Sequence, residues 1–378
     1  MTKRILVVGA GFAGATYARE LAEGGHLIDV IDRRGHVGGN AFDETLDNGI
    51  RVHRYGPHLL HTNSESVVEW LGQFGEFELY RHRVTALLPD GQTFVPLPIN
   101  RRTINMVFGL ALQDEAEVRA FLLRLATRCE KPRNAAEYLA SQIGTELTDL
   151  FFRPYTKKMW ALDLEDMDVS VVKRIPLRFD DEDHYFPADK FQMMPRDGYT
   201  SIVSRILDHP KIKVMVATPF ERTMLADYDF CFNSMPIDEY FDAAYGPLPY
   251  RSIRFHHREE QFEGGIGETS VVNFTDASRF TRQTDWSRIP CHVQQHTDRK
   301  TLTIEEPCDY TENDLERYYP VKTSDGRYQA IYEKYKELAS REPRLHFIGR
   351  CGTYQYLDMD QVINQSLRGA HKWLASVA

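Results

Sequence analysis

The sequence is short of several things, and each shortage removes a class of protein. Only five of its 378 residues are cysteine. Cys129, Cys231, Cys291, Cys308 and Cys351 are odd in number and form no C-x-x-C pair. Neither a disulfide framework nor a cysteine-held metal centre is expected, and a reduced, cytoplasmic setting is. No stretch approaches the ~20 apolar residues of a membrane helix. The N-terminus runs straight into a strand pattern, so no signal peptide is expected. Basic charge is not in excess: 46 Lys and Arg face 55 Asp and Glu, a net −9. That balance argues against nucleic acid as the main partner, although a few local arginines can hold a nucleotide-sized anion. Internal repeats and low-complexity runs are absent too. What remains is a chain longer than one average domain. With 42% hydrophobic residues and 12% aromatics it has material for a sizeable core.

The most informative stretch is the first forty residues. Ile5-Leu6-Val7-Val8 reads as a buried parallel strand. It leads into Gly9-Ala10-Gly11-Phe12-Ala13-Gly14, a Gly-x-Gly-x-x-Gly turn that opens a helical pattern over 15–23. Gly9 permits the turn, Gly11 lets a pyrophosphate approach the backbone, and Gly14 lets helix and strand pack closely. A helix N-terminus adds unpaired N–H groups and partial positive charge. A second strand over 27–31 ends at Asp32, where a carboxylate meets ribose hydroxyls. This is a dinucleotide fingerprint. Arg33, Arg34, Gly38, Gly39 and Asn40 follow, and an acid, a base and a Gly-Gly pair resemble the large flavoprotein group that includes amine oxidases. That favours FAD over NAD. Solvated surface charge is the other reading of Arg33 and Arg34.

Further along, 50–55 reads as a strand and 64–74 as a short helix with Ser64 as N-cap. Residues 82–88 and 93–97 flank Pro89-Asp90-Gly91-Gln92, a hairpin signature. The pattern over 100–164 is helical, and 171–191 is irregular or extended. Another helix runs to about 207, and strands at 213–216 and 229–233 rejoin the nucleotide domain. Alternation over 250–321 marks an antiparallel sheet, followed by a helix over 329–340, a last core strand over 345–350 and a closing helix over 359–375. The expected fold is α/β: a discontinuous Rossmann-like FAD-binding domain (1–80, 192–245 and 328–378), an inserted helical domain (98–165) and an antiparallel sheet domain (81–97, 166–191 and 246–327).

Five segments then point one way. They are His53 to Asn63 (HRYGPHLLHTN), Lys173 to Phe179 (KRIPLRF), Asn273-Phe274-Thr275-Asp276, Tyr318-Tyr319-Pro320 and Gly352 to Met359 (GTYQYLDM). In order and over essentially its whole length, the chain resembles bacterial UDP-galactopyranose mutases. The resemblance implies an isomerase that interconverts pyranose and furanose forms of a nucleoside-diphosphate sugar, without net redox change, through a covalent flavin N5–sugar adduct. FAD would be active in its reduced form. An external electron donor, a nucleotide-sugar substrate and a homodimer are implied with it.

The same resemblance carries the site residues. Arg174 and Arg282 match two diphosphate-binding arginines; a guanidinium fits phosphate oxygens better than an ammonium does. A salt bridge for Arg174, and Arg279 as competitor to Arg282, remain open. Tyr185, Tyr319 and Tyr356 match phenols at the diphosphate. Phe151, Phe152, Tyr155, Thr156 and Trp160 match the segment at nucleobase and sugar, against an aromatic stripe packed in a core. Asn273 lies in a matched substrate motif. His58, with Leu59, matches the loop beside the flavin, and a backbone-bonded buried histidine is the alternative. Gly349, Arg350, Asp358 and Met359 match the strand end and helix start at the flavin, with Asp358 also at the substrate unless it is only an N-cap. No residue is expected to hold a metal. Pro154 and Met159 stand where the family pattern has glycine and glutamine. They leave open a dTDP-deoxysugar or a UDP-N-acetyl sugar in place of UDP-galactose. An amine-oxidase-type flavin oxidoreductase and a non-catalytic nucleotide-sugar binder are the competing classes.

Overall fold

A computed structural model describes residues 1–173, 177–261, 269–293 and 298–377. Strand β1 (Arg4–Val8) turns at Gly9 into helix α1 (Phe12–Glu23), and β2 (Leu27–Ile31) returns parallel to β1 with Ile5 opposite Ile28. Phe230–Asn233 pairs parallel on the other side of β1, and Leu345–Phe347 lies beyond it. Ile212–Met215 closes the far edge against β2. Alternate residues of β1 enter opposite layers: Ile5 and Val7 pack with α1, while Leu6 and Val8 pack with Tyr250, Tyr335 and Tyr354. A strand apolar on both faces is what a parallel sheet covered on both sides requires. The expected strand over 345–350 ends early. Gly349 adopts φ 69°, which breaks the extended run, and Gly349–Gly352 forms a short helical turn. Arg350 therefore sits on that turn and not at a strand end.

The second sheet has seven strands in the order Tyr319–Pro320, Tyr250–Gln261, Arg299–Asp309, Arg282–Asp285, Val271–Phe274, Val84–Leu87, Phe94–Leu97. The hairpin over 82–97 forms where its turn residues place it, with the Gly91 N–H donating to the Leu88 carbonyl at 3.0 Å. One expectation is corrected. The sheet is antiparallel except where Val271–Phe274 runs parallel to Val84–Leu87, because an early hairpin is recruited to the edge of a late meander.

Between them the helices Arg101–Phe108, Glu115–Leu125 and Ala135–Leu147 are capped by Asn100, Asp114 and Asn134, each side chain accepting a backbone N–H three residues on. Ser64 caps Glu65–Gly72 in the same way. A π-turn, Thr148–Phe152, leads into the helix Arg153–Trp160. Pro154 occupies the first turn of that helix, directly after the π-turn. Among the described residues no helix is long and apolar enough to cross a membrane.

The strand–helix turn sets a strict limit at Gly14, where an added Cβ would lie 1.9 Å from the Gly9 carbonyl oxygen and 3.0 Å from Val7 Cγ1. Gly14→Ala is expected to lose about 1–3 kcal/mol of stability through this overpacking, read as a lowered thermal midpoint.

Candidate active site

The glycine turn builds a surface without side chains. Gly11 precedes α1 in an extended conformation, and no side chain caps the helix. Gly39 comes up against it: a Cβ there would stand 2.9 Å from the Gly11 Cα. The Gly38 N–H donates to the Ala10 carbonyl at 2.9 Å, fastening the two loops together. Asp32 accepts from the Ala10 N–H at 2.8 Å and the Arg34 N–H at 2.9 Å, and a carboxylate has lone pairs beyond these two. Gly349 reaches the first turn of α1, its Cβ position 3.0 Å from the Ala13 Cβ. Bare backbone, an uncapped helix start and a held carboxylate fit the pyrophosphate and ribose of a dinucleotide.

Other predicted cofactor residues take different parts. Phe12 is buried and meets Tyr199 edge-on, so its side chain packs the core. Arg33 is largely exposed and pairs with Glu316 at 3.2 Å. Arg34 is the more buried of the two cations; it pairs with Glu316, donates to Asn40 Oδ1 at 2.9 Å and lies 4.1 Å above the Tyr55 ring. Leu59 and Met359 pack beside this core. Asp358 stands before the helix Met359–Val377, its N–H donating to Gln361 Oε1 at 3.0 Å.

Arg350 leads from the glycine surface into a cleft of cations and phenols. Its guanidinium lies 5.7 Å from the Tyr319 ring centre and 5.0 Å from that of Tyr356, and donates to the Tyr318 carbonyl at 3.2 Å. Tyr319 and Tyr356 stack at 5.5 Å, and Trp160 meets Tyr319 edge-on at 6.0 Å. Arg282 is half-buried and pairs with the buried carboxylate of Glu305 at 2.7 Å. Burial works against its charge, yet Glu305, with Tyr155 and Tyr319 nearby, holds the Arg282 pKa well above the usual range. His58 is pushed down to about 4, first by burial and further by Arg350 and Arg282, against its bond to the Gly56 carbonyl. It faces two fixed cations as a neutral ring.

His58, Tyr155, Trp160, Arg282, Tyr319, Arg350 and Tyr356 thus form one neighbourhood. Asn273 pairs across the sheet with Arg282. Thr156 is buried on the Trp160 helix and Phe152 is partly buried; Phe151, 7% exposed, belongs to the helical core. Tyr185 lies to one side, edge-on to His82 at 6.0 Å. Arg174 falls outside the described residues. Sequence reasoning missed Glu305 and His82. Glu305 is an acid in an otherwise inward strand register, opposite Arg282, and that signal becomes readable only once the strands are paired. His82 opens a hairpin and is pushed down to about 3 by burial, then by Arg282 and His61.

A bare glycine surface fit for a dinucleotide, joined to a cleft of arginines and stacked phenols, defines a Rossmann-like protein with a cluster of cations beside that surface. Comparison with known proteins agrees. Residues 7–74 match an NAD(P)-binding Rossmann-like domain, and residues 150–356 match the UDP-galactopyranose mutase family. A Klebsiella pneumoniae protein described as a probable UDP-galactopyranose mutase is 37% identical, covering 100% of this chain and 96% of its own. A dTDP-fucopyranose mutase of Escherichia coli is 34% identical over 98% of each chain. Among solved structures, a reduced UDP-galactopyranose mutase superposes with a TM-score of 0.77 at 20% identity over 100% of this chain and 96% of its own. Putrescine oxidase, a more distant fold relative, gives 0.59 at 15% identity over 99% of each chain. The chain belongs to the UDP-galactopyranose mutase family.

Five histidines, three buried and two partly buried, make stability depend on pH. Burial lowers His58, His257 and His292 to about 4 and His82 to about 3, and takes His53 well below its ordinary value. The unfolded chain binds these protons near pH 6.5, so between there and about 4 it holds more protons than the folded one. Stability is whole above that window and falls as pH drops through it. Thermal melts from about pH 7.5 to 4.5 are expected to show a midpoint that declines mainly below pH 6.5.

Proposed function

We propose that the protein is a flavin-dependent mutase interconverting the pyranose and furanose forms of a nucleoside-diphosphate sugar. The observation that carries this reading is the convergence of Arg282, Arg350, the stacked Tyr319 and Tyr356 and the edge-on Trp160 beside a bare dinucleotide surface. An amine oxidase would have no use for such cations. The glycine turn, Asp32 and the Gly349–Arg350 turn would hold FAD. Bound there in its reduced form, the flavin would supply an electron-rich N5 nitrogen as nucleophile.

The chain's own residues do the rest. Arg282 holds the diphosphate, and its permanent charge stabilises the negative charge that develops as the anomeric bond breaks. Arg174 is proposed as the partner cation on the strength of the family resemblance. Tyr319, Tyr356 and Tyr185 are proposed to orient phosphate oxygens through their hydroxyls, and the ring bodies exclude water. Tyr155, Thr156 and Trp160 would seat base and sugar. Neutral His58 can accept or donate a hydrogen bond without adding a third charge. The reduced state of the flavin, an external reductant, a homodimeric assembly and a galactofuranose product are parts of the same proposal.

Purified protein is expected to be yellow, inactive when oxidised, and active after dithionite without consuming reductant in proportion to turnover. Stoichiometric oxidation of an amine or alcohol would overturn the reading. Arg282→Ala and Arg174→Ala are each expected to lower kcat by about 10²–10³-fold, measured by separating pyranose and furanose forms. Two mutase relatives of similar identity carry different sugar names, so UDP-galactopyranose, dTDP-fucopyranose and a UDP-N-acetyl sugar should be offered in parallel, with products assigned by NMR. A clear preference for UDP-galactopyranose would exclude the deoxysugar and N-acetyl assignments.

A further inference from the structure

The last turn of the helix Arg153–Trp160 is held by a cation from a strand, Arg251, and by a cation of its own, Lys158. Arg251, on Tyr250–Gln261, is 8% exposed. Its Nε donates to the Met159 carbonyl at 3.0 Å and its Nη2 to the Lys158 carbonyl at 3.4 Å. Among the described residues no carboxylate lies within ion-pair distance of it; Asp309 and Glu312 act on it only through space. A buried guanidinium left to backbone carbonyls is unusual unless those carbonyls are the open end of a helix, where the oxygens lack N–H partners and the dipole is negative. Burial lowers the Arg251 pKa, and the helix end is what it has in return.

The backbone of Arg251 faces the other wall of the cleft. It pairs with Tyr319 in the sheet, and its carbonyl accepts the Tyr318 N–H at 3.1 Å. Lys158 completes the junction, its Nζ donating to the Phe274 and Asp276 carbonyls at 2.9 and 3.0 Å. That turn leads into the strand carrying Arg282. One junction therefore ties together the Trp160 helix, the Tyr319 strand and the Arg282 strand.

We propose that Arg251 is a positioning residue that sets the spacing of the Trp160 and Tyr319 walls, and through it affinity for the nucleoside-diphosphate part of the substrate. The inference rests on the functional reading above. The Arg251 guanidinium bonds the helix-end carbonyls and not the glycine surface, so its removal should loosen nucleotide binding and leave the flavin surface intact.

The test is titration calorimetry of flavin-loaded protein with UDP and with dTDP, using wild type, Arg251→Met, Arg251→Lys and Lys158→Met. Arg251→Met is expected to weaken binding about tenfold with flavin content and spectrum unchanged. Arg251→Lys, which keeps a donor to the helix end, should recover part of the loss, and Lys158→Met should weaken binding several-fold. Wild-type affinity in Arg251→Met overturns the proposal, as does a loss that Arg251→Lys does not relieve. If Arg251→Met fails to fold, unchanged affinity in Lys158→Met overturns it equally. A wild-type protein that binds neither nucleotide removes the functional reading and this inference together, whereas a binding wild type with unaltered variants removes the inference alone.

Discussion

Two loops of backbone touch at Gly11 and Gly39, and the rest of the molecule is arranged so that they can. The contact leaves no room for a Cβ on Gly39, and the helix behind it is seated by a second glycine, Gly14, against the Gly9 carbonyl. Close backbone approach turns peptide N–H groups into the binding surface, and such groups offer dipoles to an anion without a side chain that must be ordered. The parallel sheet fixes where the first loop emerges, and Asp32 clamps it by accepting from the Ala10 and Arg34 N–H groups.

The cleft has the opposite character, because charge there is carried by long side chains. Arg282 and Arg350 both act on the same histidine, and two guanidinium groups in one recess repel each other. Three features offset that repulsion. Glu305 lies beneath Arg282, backbone carbonyls accept from Arg350, and the faces of Tyr319 and Tyr356 look toward the Arg350 charge. The two cations are thus already compensated by the protein's own groups. Neutral His58 fits the same logic, since a protonated ring would add a third positive charge.

Legibility in the sequence followed the range of the interactions. The glycine turn, the caps at Ser64 and the hairpin over 82–97 depend on residues close in the chain, and each formed as read. The strand over 345–350 was overread because Gly349 looks like any residue of an extended run until its φ of 69° is known. The parallel pairing of Val271–Phe274 with Val84–Leu87 joins segments whose local patterns say nothing of each other. Phe151 and Trp160, both from one matched motif, are buried in the same helical core, which no spacing in that motif announces. Glu305 and Arg251 act across strands and against a helix end, so no spacing in the linear chain announces them.

The first strand is also a matter of timing. Arg4 and Asp229 hydrogen-bond across 225 residues, and β1 gains its second neighbour only when Phe230–Asn233 exists. At a synthesis rate of about 5–20 residues per second, that interval is roughly 10–45 s. During it, the hydrophobic edge of β1 has β2 on one side and nothing from its own chain on the other. A ribosome-bound chain of this kind carries an uncovered pairing edge on its first strand for more than half of its synthesis.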